Sequence, residues 1–159
     1  MSAPARAASK TAAVLATWFG AGLLPKAPGT WGSLAALPCG LALTWLGGPW
    51  LLLAGAAVVF LAGIWAGGRY AEDRGLEDPG AVVIDEVAGQ LIALLPALLD
   101  PWLVLLAFIA FRIFDIVKPW PVGWLDRELE GGLGIMADDV LAGIYGALVV
   151  WAAAEFLII

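Results

Sequence analysis

Five acidic side chains lie within or beside long apolar runs: Asp85 and Glu86 in VVIDEVAGQLIALL, Asp115 in FRIFDIVKP, and Asp138 and Asp139 in IMADDVLAGIYGAL. A carboxylate near the interior of a bilayer is costly and is tolerated where it faces a polar cavity or a partner. Arg112 and Lys118 stand close by in sequence. Together they point to a site for a metal ion and a phosphate, built by membrane helices. The chain has no histidine and one cysteine, Cys39. That excludes Ser-His-Asp and Cys-His catalysis and any zinc site that needs imidazole. Oxygen ligands alone suit a hard cation, Mg²⁺ before Zn²⁺. Asp85, Asp115 and Asp139 are the leading ligands, although one of them could act as a general base. Glu86 and Asp138 are further ligands or supports. Cys39, in LAALPCGLAL, reads as an inert core thiol.

The elements that must position these groups follow from composition. The 159 residues are 62% hydrophobic and only 14% are charged, with a mean hydropathy of +0.93. Soluble domains carry about 25% charged residues, so an integral membrane protein is the expected class. The expected fold is all-α: one domain, a small polytopic membrane helical bundle of about five spanning helices. A short interfacial or re-entrant N-terminal helix precedes them, because the apolar run TAAVLATWFGAGLL leads into a Gly/Pro motif and not a cleavage site. The net charge of −6 argues against a nucleic-acid partner.

The first span is expected from Leu34 to Leu46, with Thr30 or Ser33 as N-cap. Gly47, Gly48 and Pro49 form a turn, and a second span runs to Gly68. A polar loop covers 69–80. Asp78 and Pro79 open a third span to Leu99, bent at Pro96; Asp100 and Pro101 open a fourth, to Val117. A second polar loop covers 118–137, and Asp138 opens the last helix. This topology places all eight Lys and Arg residues on or near one side, the cytoplasmic one by the positive-inside rule. Asp85 then lies about 9 Å along its helix and Arg112 about 8 Å from the end of its own, at 1.5 Å per residue. Three helices thus bring polar groups to one shallow depth. Gly89 shares a face with Asp85, and Gly143 with Asp139, at i and i+4, which lets helices approach and carboxylates meet. The competing explanation is an internal Arg112–Asp115 ion pair with the other acids at helix N-termini.

In PGTWGS, Gly29 and Gly32 permit close backbone approach, Thr30 and Ser33 add hydroxyls, and Lys26 stands upstream. A helix starting there would offer free N–H groups to an anion. The segment lacks the GKS/T ending of a Walker A loop.

Four blocks, GLLPKAPGTWGSLAALP (22–38), DPGAVVIDEVAGQ (78–90), FRIFDIVKPWPVGWLDR (111–127) and GGLGIMADDVLAGIYG (131–146), together give a chain that resembles the phosphatidylglycerophosphatase A family over most of its length. The resemblance implies a Mg²⁺-dependent phosphatase of the bacterial inner membrane. Its phospholipid substrate would be phosphatidylglycerophosphate, hydrolysed to phosphatidylglycerol and inorganic phosphate. It also implies functional roles for Asp85, Glu86, Arg112, Asp115, Lys118, Asp138 and Asp139, with PGTWGS as a neighbour of the phosphate. Direct attack by water and a phosphoaspartyl intermediate are both open. A cation transporter or a non-catalytic anionic-lipid-binding subunit are the other classes; carboxylates clustered at one side count against the transporter.

Overall fold

The computed structural model describes residues 9–157, and over that range the chain is all-α, with six α-helices and no strand among the described residues. Helix α1 (Lys10–Ala16) is short and begins on Ser9, whose hydroxyl accepts from the Ala12 N–H at 3.2 Å. A 3₁₀ turn at Ala21–Leu23 follows, with Phe19, Leu23 and Leu24 exposed around it.

Helix α2 (Pro28–Arg74) starts earlier than expected. Ala27 turns the chain in with a left-handed conformation and Pro28 supplies the pre-set φ of a first helical residue. Thr30 and Ser33 are therefore inside the helix and neither caps it. At Gly47 and Gly48 the backbone leaves helical geometry; Gly48, at φ +68° and ψ −164°, occupies a region essentially reserved for glycine. The expected turn is thus present, and α2 is a hairpin of two limbs, 28–46 and 49–74, in which Gly40 faces Leu52 and Gly55 faces Leu43. The second limb continues past Gly68 through RYAEDR. Arg69 pairs with Asp73 at 3.0 Å, and the Arg74 guanidinium stacks 3.4 Å over the Tyr70 ring.

Helix α3 (Ile84–Ala93) is shorter than the span expected from Pro79 to Leu99. Asp78 does not cap it; the Val82 N–H closes a turn on the Pro79 carbonyl at 2.8 Å and the Val83 N–H is tied to the Ala16 carbonyl at 2.9 Å, so 79–83 is a turn held against α1. At the other end, Pro96 would clash with the carbonyl four residues before it, and the helix stops at Ala93. Helix α4 (Pro101–Val117) is as expected, with Asp100 Oδ1 accepting from the N–H groups of Trp102 and Leu103 at 2.9 and 3.0 Å. The segment read as a loop, 118–137, instead contains α5 (Val122–Glu128) and the start of α6 (Gly131–Leu157). Asp138 and Asp139 consequently lie two turns inside α6 and do not open it.

Helix α3 is the axis of the bundle, packed against α2, α4 and α6. Its Val87 and Leu91, with Leu94 just past its end, meet Leu52 of α2 and Phe111 of α4 in the main core cluster. The outer surface is apolar, with Trp45, Trp50, Trp102 and Trp151 among the exposed side chains, while Ser33, Thr44, Gln90, Asp138 and Asp139 are buried. That inversion of the usual soluble pattern suits lipid as the surrounding solvent. Two helices, α2 and α6, are long and apolar enough to cross a membrane. Cys39 is exposed on the first limb and not in the core. It lines no part of the cavity described below. Cys39→Ala should leave turnover unchanged, as a side-by-side assay with the parent protein would register.

Candidate active site

The site is assembled by a close crossing of α3 and α6. A Cβ on Gly143 would lie 2.9 Å from the Gly89 Cα, and one on Gly89 would lie 2.5 Å from the Asp139 carbonyl oxygen. Only two glycines allow the backbones so near. The crossing brings Asp85 and Glu86, in the first turn of α3, to Asp139 of α6. One carboxylate oxygen from each of these three lies within 4.8 Å of the others. Glu86, ranked as a secondary ligand by sequence, joins this group, whereas Asp115 and Asp138 line the same cavity with a cationic partner each. Asp115 accepts from Arg112 Nη1, and Asp138 accepts from Lys118 Nζ at 2.8 Å.

No ion pair to Asp85, Glu86 or Asp139 occurs among the described residues. Asp85 Oδ1 and Glu86 Oε2 are buried with no hydrogen-bond partner from the protein. Three converging carboxylates, two of them with an orphaned oxygen, fit a hard cation, because each buried anion needs a compensating charge. The arrangement also removes the competing explanation in part: the Arg112–Asp115 pair exists, but Asp139 is far from a helix N-terminus and lacks a dipole to favour it.

These groups line one cavity of about 590 Å³. Asp85, Glu86, Asp115, Lys118, Asp138 and Asp139 all face it. So do Glu72, Asp78, Asp126 and Glu130, none of which the sequence placed in the site. Asp126 is the most consequential of these: its Oδ1 accepts from Lys118 Nζ at 2.5 Å, so the ammonium is bracketed by Asp126 and Asp138. Burial disfavours the Lys118 charge, but the two carboxylates outweigh it and raise its pKa above the ordinary lysine value. The block FRIFDIVKPWPVGWLDR already contained Asp126, yet no sequence spacing ties it to Lys118 across the turn into α5.

The PGTWGS segment reaches the site through Pro28 and Gly29 only. Lys26 is exposed, Thr30 is half-buried, and neither lines the cavity. Ser33 is buried and donates its hydroxyl to the Gly29 carbonyl at 2.9 Å. Arg112 stands behind the wall: a Cβ on Gly29 would lie 3.1 Å from its Nη1 and collide with Glu86 Oε1. Gly29→Ala should therefore displace Glu86. We expect turnover to fall about tenfold or more, the scale of losses when a metal ligand's support is disturbed, with little change in melting temperature; phosphate release and a thermal melt in detergent check both.

A helical bundle with a lipid-compatible exterior, carrying at one end a carboxylate cluster beside cationic side chains, defines the class: a membrane-type helical protein with an acidic group able to hold a metal ion. The chain belongs to the phosphatidylglycerophosphatase A family, whose sequence profile matches residues 14–154. A phosphatidylglycerophosphatase A of Haemophilus influenzae is 46% identical over 141 residues, covering 87% of this chain and 86% of the relative. One from Escherichia coli is 44% identical over 138 residues, covering 84% and 78%. A Bacteroides thetaiotaomicron protein, provisionally named a phosphatidylinositol-3-phosphatase, is 45% identical over 149 residues, covering 88% and 91%. No solved structure matches significantly.

Proposed function

We propose that the chain hydrolyses the terminal phosphate monoester of phosphatidylglycerophosphate, giving phosphatidylglycerol and inorganic phosphate. The observation that carries this reading is the convergence of Asp85, Glu86 and Asp139 in a cavity that also presents Lys118, in a chain of this family. Asp85, Glu86 and Asp139 would hold Mg²⁺, which when bound supplies a Lewis acid for phosphoryl oxygens and a water of lowered pKa. Lys118, held at the cavity by Asp126 and Asp138, is placed to offset phosphate charge. Gly29 adds the first N–H of α2, a group with no partner inside its own helix. Arg112 is oriented by Asp115 and supports the same wall. In the net reaction the oxygen of water bonds to phosphorus, the phosphorus–oxygen ester bond breaks, and the glycerol oxygen leaves with a proton.

We further propose a bacterial inner-membrane protein that crosses the bilayer five times with the site on the cytoplasmic side. The two limbs of α2, α4 and α6 supply four crossings. The other is α3 continued by the turns of 94–99, where the N–H groups of Leu95, Ala97 and Asp100 each bond a carbonyl three residues back. Such bonding keeps irregular backbone satisfied at membrane depth. Lys26, Arg69, Arg74, Lys118 and Arg127 lie at the end that carries the site, which supports its cytoplasmic placement. Trp31 and Trp45 are exposed on one limb and Trp50 and Trp65 on the other. Each pair is separated by about 21–23 Å at 1.5 Å per residue, less than the roughly 30 Å of a bilayer core. Tryptophan belts mark the interfaces, so the spans are short and the surrounding bilayer is thinned or the helices tilted. Trp31 is two residues from Gly29, which sets the cavity at headgroup level. A headgroup panel tests substrate choice. Purified protein in mixed micelles should release phosphate from phosphatidylglycerophosphate faster than from phosphatidylinositol 3-phosphate; the reverse order would replace this substrate with the inositol lipid.

A further inference from the structure

Gln90 has no part in the reading above, yet it is the chain's single side-chain carboxamide: there is no other Gln and no Asn. It is fully buried at 0% exposure on α3, and neither its Nε2 nor its Oε1 has a hydrogen-bond partner from the protein. An unmade hydrogen bond at a buried polar group costs about 1–3 kcal/mol. Three further buried atoms without partners are Asp85 Oδ1, Glu86 Oε2 and Arg112 Nε. Glu86 precedes Gln90 by four residues, so the two share a helix face with Cβ atoms about 5–6 Å apart. Arg112 follows Phe111, whose ring abuts Gly89, the neighbour of Gln90; a Cβ on Gly89 would lie 2.5 Å from Phe111 Cε2. With Asp85 Oδ1 left to the carboxylate cluster, the atoms of Glu86, Gln90 and Arg112 are complementary: an amide N–H and a guanidinium N–H against a carboxylate oxygen and an amide oxygen.

We infer that Gln90 is a positioning residue that couples Glu86 to Arg112, donating from Nε2 to Glu86 Oε2 and accepting at Oε1 from Arg112 Nε. The inference rests on the proposed metal and phosphate site. Adjustment of side-chain torsions brings the three groups into register when Glu86 is drawn to a cation. The amide then fixes the carboxylate's orientation from below the cavity and links it to the guanidinium in the wall. Partners of this kind conventionally set ligand geometry at metal sites, and here one buried amide ties the cation side to the phosphate side.

The test uses the full chain in detergent. Because Gln90 is the only carboxamide, protein labelled with ¹⁵N in its side chain gives one NH₂ pair by NMR. Saturating Mg²⁺ should shift that pair and slow its hydrogen exchange. Gln90→Met, which keeps length without the amide, should melt at or above the wild-type temperature without metal. Its Mn²⁺ affinity should weaken about tenfold to a hundredfold, and kcat should fall more than KM changes. An NH₂ signal unmoved by Mg²⁺, or Gln90→Met with wild-type Mn²⁺ affinity, overturns the inference, and the first readout needs no variant to fold. Wild-type protein that binds no Mn²⁺ overturns the metal reading and this inference with it; normal wild-type binding with an unaffected variant refutes the role of Gln90 alone.

Discussion

Asp85→Asn and Asp139→Asn should each lower turnover about a hundredfold or more, beyond the tenfold to hundredfold lost when only a ligand's support is removed. Both should leave the metal-free protein as stable as wild type or more so. The two parts of the expectation have one cause. Asp85, Glu86 and Asp139 place oxygens within 4.8 Å of each other without an ion-pair partner among the described residues. Like charges so close repel and are favourable only around a cation. Asparagine keeps the shape, removes one charge and weakens the cation site. The contrast extends to ligand effects: Mg²⁺ at a hundred times its Kd should stabilise the wild-type protein by about 2.7 kcal/mol, and should raise the melting temperature of neither variant at that concentration. Phosphate release and paired thermal melts with and without Mg²⁺ measure all of this. A variant that keeps both wild-type turnover and the Mg²⁺-induced shift would remove its residue from the ligand set.

Gly143→Ala should be nearly as damaging to turnover, for a reason that lies in the backbone. The added methyl would meet the carbonyl oxygen, Cα and carbonyl carbon of Gly89, none of which can rotate away. Relief requires α3 and α6 to separate, and that moves Asp85 and Glu86 from Asp139. Overpacking of this type costs about 1–3 kcal/mol, so a lower melting temperature should accompany the loss of activity. Gly146→Ala, one turn on, is the matched comparison. Its methyl would approach the Ala93 Cβ at 3.2 Å and the Phe111 backbone at 3.3–3.4 Å, tight but not prohibitive. Its effect on both readouts should be milder, and equal effects would show that the α3–α6 spacing is not what holds the carboxylates together.

The glycine-carboxylate spacings were legible in sequence because they are local. Residues four apart on a helix share a face whatever the fold does, so Asp85 with Gly89 and Asp139 with Gly143 announced a close crossing. The turn at Gly47–Gly48 and the cap at Asp100 were legible for the same reason. What failed was decided by contacts from elsewhere in the chain. The Asp78-Pro79 start signal lost to the tether between Val83 and the Ala16 carbonyl. The polar character of 118–137 concealed α5 and the first turns of α6, because charged residues there line a cavity and do not mark a loop. The Arg112–Asp115 pair, three residues apart, was legible for the same local reason; that Lys118 takes Asp126 and Asp138, leaving Glu86 to join the unpaired carboxylates, was beyond sequence. Gln90 lay inside a quoted block and carried no local signal, since its meaning depends on the unpaired atoms around it.

We propose above all that three unpaired carboxylates form a cation site that serves phosphate-monoester hydrolysis. Its most direct test is phosphate release from phosphatidylglycerophosphate by the purified protein, first stripped with EDTA and then supplied with Mg²⁺. Release should be absent after stripping and return with Mg²⁺, with phosphatidylglycerol formed in equal amount. Full activity in excess EDTA would contradict the account.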